Sequence, residues 1–452
     1  MNMSFLQELF STITQRDALR RKRSGTLAPV SHEGLIGACQ ALLESDGEAS
    51  SITLARRALD LYARLDEGDK LRFFERLTSE FSADPERIDA AYQRYRDSRD
   101  NGDLQVLFDV CEPSRQEVLR RLNLTTDGTH ELVGMREDLL GLLKAHPDLQ
   151  PLNADFGHLF GSWFNRGFLV LRRIDWNTPA AILERIIHYE AVHEIQDWND
   201  LRRRLDARDR RCFAFFHPAI GDEPLIFVEV ALHRGLPDRI QPILDGSQGV
   251  IEDPDSVDTA AFFGISNCQT GLRGISFGNF LIKQVVQELK QELPNLRNFV
   301  TLSPVPGFRQ WLDSVRESED RLDDEASETL ALLDEPDWHS DPAKADRLRD
   351  VIRPLAGHYL LHEKNAQGLP LNPVARFHLG NGAELHRINW LGDVSAKGIQ
   401  QAAGLMVNYL YVLEEIERNH EHYTTDGTIA RSSSVRDLGR RARKLLTGET
   451  EK

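Results

Sequence analysis

The stretch "QTGLRGISFGNFLIKQVVQELKQELP", Gln269 to Pro294, passes from a strand end through a glycine-rich turn into an amphipathic helix. Its Leu281, Val285, Val286 and Leu289 recur at helical spacing on one face. A turn of this kind leaves backbone N–H groups unpaired at a helix N-terminus. Together with the positive end of the macrodipole they suit a pyrophosphate, and Gly271, Gly274 and Gly278 would let phosphate oxygens come close to the backbone. Arg273 and Lys283 would add positive charge. The spacing is not that of a Walker loop, and the strands ahead of it do not alternate with helices as a parallel βαβ series would, which speaks against a Rossmann-type nucleotide site. On these residues alone, a glycine turn that simply precedes a packing helix is the commoner reading.

Working outward, the next stretch is "NFVTLSPVPGFRQWL", a strand that ends at Ser303 with Pro304 and Pro306 behind it and a helix from near Gly307 to Val315. The prolines fix the backbone and remove two competing N–H donors. Ser303 lacks the GxSxG elbow of an α/β-hydrolase nucleophile, so it is read as a hydrogen-bonding or capping hydroxyl. Upstream, "FLVLRRIDW", "RCFAFFHP", "PLIFVEVALH" and "TAAFFGIS" read as strands, and "ELHRINWLGDV" as a later one, with helix between Pro179 and Leu205 and again between Gly278 and Leu293. Pro224 reads as the turn of a hairpin that makes its two strands antiparallel. From Ser4 to about Leu152, by contrast, apolar residues recur at three and four, as in "SITLARRALDLYARL", with almost no alternation. Ser51 is expected as an N-cap, and Asp84-Pro85 and Glu112-Pro113 as helix starts. The stretch "VRESEDRLDDEASETLALLDEPDW" is expected to be a solvated surface insert, and the basic tail from Ala430 a frayed helix.

The bounds set by composition agree with two packed parts. A chain of 452 residues with 40% hydrophobic content is too long for one core and rich enough to fill two or three. Its formal net charge of −16 argues against a nucleic-acid binder, which needs a basic face. No apolar run reaches the roughly 18 residues of a membrane span, and a cytoplasmic protein without membrane partners is expected. Cys39, Cys111, Cys212 and Cys268 form no CxxC pair and read as reduced thiols. His358 and His362 in "HYLLH" lack the glutamate that a zinc-binding HExxH would carry, and no metal site is expected.

His378 lies in "LNPVARFHLGNGAELHRINWLGDVSAKGI", between Phe377 and Leu379 and ahead of the tight turn Gly380-Asn381-Gly382. A histidine in an apolar run is most often a satisfied core residue. The turn Arg273 to Asn279, however, resembles the acyl-CoA loop of GCN5-related N-acetyltransferases, with Arg273 and Gly278 matched and Ser276 standing where a first glycine is expected. In addition, "LSPVPGFRQWL", the His378 block, "RRCFAFFHPAIGDEPLIFVEVAL" and "GISFGNFLIKQVVQELKQELPNL" together resemble the malonyl-CoA decarboxylase family, over roughly Leu159 to Glu417.

The resemblance implies an α+β chain: a helical oligomerisation domain over residues 1–155, then an acetyltransferase-like catalytic domain with a mixed sheet over 156–452. It implies a serine and a histidine that match Ser303 and His378 as catalytic residues, and no cofactor, coenzyme A entering as part of the substrate malonyl-CoA. It implies that Arg273, Gly274, Ile275, Ser276, Phe277, Gly278 and Asn279 hold the coenzyme. Ser266, Asn372 and Tyr411 are further candidates for the pocket wall. A homo-oligomer, dimer or tetramer, through the helical domain is expected. In animal relatives an acidic residue stands at the place of Ser276, so no role of that carboxylate carries over. The competing readings are an acyl-CoA-dependent N-acyltransferase and a non-catalytic acyl-CoA-binding scaffold.

Overall fold

The structure, a computed structural model, describes residues 31–164, 166–246, 251, 253, 256–275, 281–318 and 321–446. The chain forms two compact units that divide between Leu159 and Phe160, within the helix Gln150–Trp163.

The first unit is helical throughout its described residues. Its elements are α1 (His32–Leu43), α2 (Glu48–Tyr62), α3 (Glu67–Glu80), α4 (Pro85–Ser98), α5 (Asn101–Cys111), α6 (Ser114–Leu122), α7 (Gly128–Leu142) and α8 (Gln150–Trp163). Leu35 and Leu42, Phe73 and Leu77, Leu132 and Leu139 fall at helical spacing, and all are buried. Asp84 caps α4, accepting from Glu86 N at 2.9 Å. Two capping expectations are corrected. Gly47, not Ser51, precedes α2; Ser51 is buried one turn inside and bonds Ser45 Oγ at 2.6 Å. Pro113 occupies the N-cap of α6 and not its first turn.

The second unit is built on one sheet. Its strands are β1 (Val170–Ile174), β2 (Arg210–Phe216), β3 (Pro224–His233), β4 (Thr259–Asn267), β5 (Asn298–Thr301), β6 (Ser303–Pro304), β7 (Glu384–Asn389) and β8 (Met406–Leu410). They lie in the order β1-β2-β3-β4-β5-β8, with β6 also on β8 along the side of β5 and β7 on its other side. Pairings are antiparallel except β4 with β5, which are parallel and joined by α12, defined below, as a parallel pair requires. The fold class is therefore that expected from the sequence: a helical region, then an α/β unit with a mixed sheet. Pro224 begins β3 instead of forming the turn, a position where its missing N–H costs no ladder bond. Strand β8 went unread, because a short buried apolar run carries no alternation to mark it.

The helices of this unit are α9 (Ala180–Tyr189), α10 (Trp198–Asp206), α11 (Gln241–Asp245), α12 (Leu281–Glu292), α13 (Phe308–Arg316), α14 (Asp324–Leu330), α15 (Pro342–Leu361), α16 (Pro373–Gly380), α17 (Ala396–Ala402), α18 (Ile416–Asp426) and α19 (Ser433–Leu445). One core joins α9 and α10 to the sheet through Ile186, Leu201, Cys212 and Phe227. Another gathers Ala231, Ile243, Phe263, Leu302 and Met406. The acidic stretch is no solvated insert: α14 is capped by Asp323 and buries Ala326, Thr329 and Leu330, and Trp338 beyond it is buried too. Nor is the tail frayed over its described residues, 430–446. Helix α19 buries Val435, Leu438 and Ala442, and its backbone meets α15 so closely that a Cβ at Gly357 would lie 3.1 Å from Gly439 N.

The parallel pairing of β4 and β5 runs from Thr259↔Asn298 to Phe262↔Thr301 and stops. Beyond it β4 continues on β3 to Asn267, while the chain after Thr301 turns onto β8. A wedge opens between them. Helix α16 is set by Asn372, whose Oδ1 accepts from Ala375 N at 2.8 Å, and it ends in the turn at Gly382, where φ is +80°. A Cβ at Gly382 would fall 2.1 Å from Ile416 O, so only glycine fits. Gly382→Ala should lower stability by more than about 2 kcal/mol, the left-handed backbone and the clash adding. An unchanged urea midpoint, followed by tryptophan fluorescence, would contradict this.

Candidate active site

The wedge holds a cavity of about 450 Å³. Its walls are mainly apolar, with Val192, Phe262, Ile265, Ile275, Leu281 and Leu302 among them, and Ser303 and His378 bring polar atoms into it. Both polar residues are buried, Ser303 at 6% and His378 at 3% exposure.

Ser303 reaches the cavity because β6 adds to β8 through Ser303↔Val407, which aims the side chain away from that ladder. His378 reaches it from the last turn of α16, its ring stacked on Tyr409 with centroids 4.6 Å apart. Ser303 Oγ and His378 Nε2 stand 3.2 Å apart. On the far side of the ring Nδ1 lies 2.8 Å from Tyr411 OH. Ser303 Oγ in turn donates to Thr301 Oγ1 at 2.9 Å, and Tyr409 N donates to the same oxygen at 3.1 Å. Four side chains thus form one buried chain of hydrogen bonds.

The end of a helix favours a cation by about 0.3–1 kcal/mol, yet burial acts the other way and more strongly on His378. Its pKa is pushed down from 6.5 to about 3, so the imidazole is neutral at ordinary pH. Burial likewise pushes the Tyr411 phenol well above its usual range, which keeps its proton in place.

Other residues singled out in the sequence fall as follows. Arg273 and Gly274 are exposed in the turn after the short 3₁₀ segment Thr270–Leu272, with Gly274 at φ +79°, and Ile275 lines the cavity. Ser276, Phe277, Gly278 and Asn279 lie outside the described residues. Lys283 pairs with Glu417 at 2.6 Å. Asn372 caps α16 and donates to Pro306 O at 2.9 Å, tying that helix to the turn after Ser303. Ser266 does not line the cavity: it points to the opposite face of β4 from Ile265 and donates to the buried carboxylate of Glu190 at 2.9 Å. His358 stacks on Trp311 and faces Glu363. Thr301 and Tyr409 were not singled out. The signal for Thr301 was present, since "TLS" puts two hydroxyls two residues apart and so on one side of an extended strand.

Residues 167–449 match the model of the malonyl-CoA decarboxylase C-terminal domain, and residues 81–164 that of the N-terminal domain. The chain belongs to the malonyl-CoA decarboxylase family. Membership makes it an enzyme of the carboxy-lyase class. It is 37% identical over 348 residues to the mitochondrial malonyl-CoA decarboxylase of Anser anser anser, covering 72% of this chain and 69% of that one. To the Rattus norvegicus protein it is 35% identical over 351 residues, covering 72% and 71%. The crystal structure of malonyl-CoA decarboxylase from Rhodopseudomonas palustris superposes with a TM-score of 0.88 at 52% identity, over 90% of this chain and 100% of that one. That from Cupriavidus metallidurans gives 0.68 at 35%, over 90% and 99%. Among the described residues no helix is long and apolar enough to cross a membrane.

The neutral state of His378 has a cost in acid. The unfolded histidine takes up a proton near 6.5 and the folded one only near 3, so between those values the unfolded chain binds more protons and stability falls as pH falls. His193, buried and pushed down to about 4, adds in the same direction. His378→Asn should therefore flatten the loss of stability between roughly pH 6 and 4.5, removing up to about 1.4 kcal/mol per pH unit. Urea titrations of both proteins at several pH values check this; parallel losses would contradict it.

Proposed function

We propose that this chain converts malonyl-CoA and a proton to acetyl-CoA and carbon dioxide, with Ser303 and His378 serving the thioester enolate. The bond to the carboxylate breaks, its electron pair moves into the thioester carbonyl to form an enolate, and one proton returns to carbon. The carbonyl is itself the electron sink, so the chemistry asks for no biotin, metal or pyridoxal. What the protein must supply is orientation of the carboxylate out of the carbonyl plane, donors for the enolate oxygen, and a proton source. The observation that carries this reading is the 3.2 Å contact of Ser303 and His378 within an apolar cavity, in a chain of this family. His378 would serve the thioester oxygen or deliver the proton, and Ser303 would engage the carboxylate and then the carbanion carbon. The turn Arg273 to Asn279 would hold the coenzyme.

The same reading takes this chain as a cytoplasmic homo-oligomer. The four cysteines are free, three of them buried, as in a reducing compartment. In the helical unit the hairpin of α4 and α5 buries Ala91 alone and leaves Tyr92, Val106 and Phe108 exposed, the last at 64%; a second copy of the chain is the occupant proposed for it. Light scattering at micromolar protein should give a dimer or tetramer, and Phe108→Asp a smaller mass. A monomeric parent would end this part of the proposal.

Incubation with malonyl-CoA, with and without an amine acceptor, tests the reaction. Acetyl-CoA and carbon dioxide should form in both cases. Acyl transfer to the amine alone, or binding without turnover, would favour an N-acyltransferase or a scaffold. Loss of one preorganised donor from a developing oxyanion costs about 2.7–4 kcal/mol, so Ser303→Ala and His378→Asn should each lower kcat roughly 10²–10³-fold. The double variant should be far less than multiplicatively worse. A covalent adduct on Ser303, or near-normal turnover of Ser303→Ala, would refute the assignment. With His378 pushed to about 3 in the unliganded site, kcat/KM should show no acid limb near 6.5 from this ring.

A further inference from the structure

We infer that Thr301 is the positioning residue that fixes the proton of neutral His378 on Nε2, the nitrogen that faces Ser303. Thr301 is fully buried, and its hydroxyl has two hydrogen-bond partners, Tyr409 N–H and Ser303 O–H. The first can only donate. Between the ladder pairs Val300↔Leu410 and Ser303↔Val407, the carbonyl of Thr301 is occupied by Asn408 Nδ2 at 2.7 Å, so the Thr301 hydroxyl stands in for a carbonyl and accepts the amide of Tyr409.

Its remaining acceptor site takes the hydrogen of Ser303. A serine hydroxyl has one hydrogen. Once that is given to Thr301, Ser303 Oγ can meet Nε2 only as an acceptor, and Nε2 must carry N–H. The other end of the chain fits the same direction: four hydrogens share three links, and the one left over is that of Thr301 and not that of Tyr411. Tyr411 is buried, its phenol keeps its proton, and its hydroxyl bonds Nδ1, so the phenol donates and Nδ1 is bare. Every donor along Tyr411, His378 and Ser303 then points toward Thr301. His378 so presents an N–H at the Ser303 side of the cavity without bearing a charge.

The kinetic arm of the test rests on the reaction proposed above; the spectroscopic arm does not. Protein labelled with ¹⁵N-histidine is compared with His378→Asn, which identifies the His378 signals among those of the 15 histidines. The parent should show a neutral ring protonated at Nε2. In Thr301→Val the Ser303 hydroxyl loses its acceptor and turns to Nε2, so the proton should move wholly or partly to Nδ1. With malonyl-CoA, kcat should fall about tenfold while KM stays within about twofold, the effect of one hydrogen bond. Thr301→Ser keeps the hydroxyl and should match the parent in both spectra and kcat. If Thr301→Val does not fold, Thr301→Cys replaces it, a thiol being a weak acceptor, with a partial shift expected. A parent ring protonated at Nδ1, or a tautomer unmoved by loss of the Thr301 hydroxyl, overturns the inference. A parent that leaves malonyl-CoA unchanged overturns the proposed reaction, and the spectra still decide the role of Thr301.

Discussion

The site exists because two parallel strands part company. Strands β4 and β5 share only four register pairs, and after Phe262↔Thr301 one follows β3 and the other β8. A continuous sheet has no room for a ligand in its plane, whereas a divergence opens a wedge without leaving either strand unsupported. Each is still held on its outer side. The wedge is apolar because the positions that face it were core positions of the strands, and the first residues past the divergence include Ser303.

Holding that divergence takes side chains in place of main chain. Asn408 is fully buried in an otherwise apolar strand, a costly choice unless each of its polar groups is satisfied. It donates to Thr301 O at 2.7 Å and Pro237 O at 3.2 Å, and it accepts from Arg387 Nε at 2.9 Å and Asn389 Nδ2 at 3.0 Å. The amide therefore joins β5, β7, β8 and the loop at Pro237. Thr301 completes the seam with its hydroxyl. One arrangement thereby secures the sheet where its ladder is thin and aims the serine that follows two residues later.

Much of this was legible in the sequence, and the exceptions share a cause. The helical unit, β1 to β5, β7 and α12 carry periodicities that burial on one face or both enforces. Ser303 could be placed at a strand end because prolines follow it. Burial without alternation hid β8, and with it the reason for Asn408. The acidic stretch and the tail misled for a related reason: charge density marks the exposed side of a helix, while the buried sides of α14 and α19 rest on few residues, among them Leu330 and Leu438. Ser266 sits on the correct strand but on its other face, a distinction of one residue that its alternation with Ile265 expresses. That Thr301 and Ser303 share a contact depends on β6 leaving β5 for β8, which no local pattern encodes.

The electrostatics of the cavity fit the direction in which charge moves during a decarboxylation. In the reactant the charge is on the carboxylate; in the transition state it passes toward the thioester oxygen as carbon dioxide, which is neutral, departs. A fixed cation beside the carboxylate would stabilise the reactant most and add to the barrier. A neutral donor in a low-dielectric cavity attracts the carboxylate less and can still strengthen its hydrogen bond as charge develops on the enolate. Burial of His378 at the end of α16 keeps the ring neutral, as the proposed role asks, since it overrides the pull of the helix terminus toward the imidazolium. With a partner at each nitrogen, the ring takes its tautomer from the groups that touch it. Tyr411 sits at one nitrogen, Ser303 at the other, and behind Ser303 the seam that holds the sheet open.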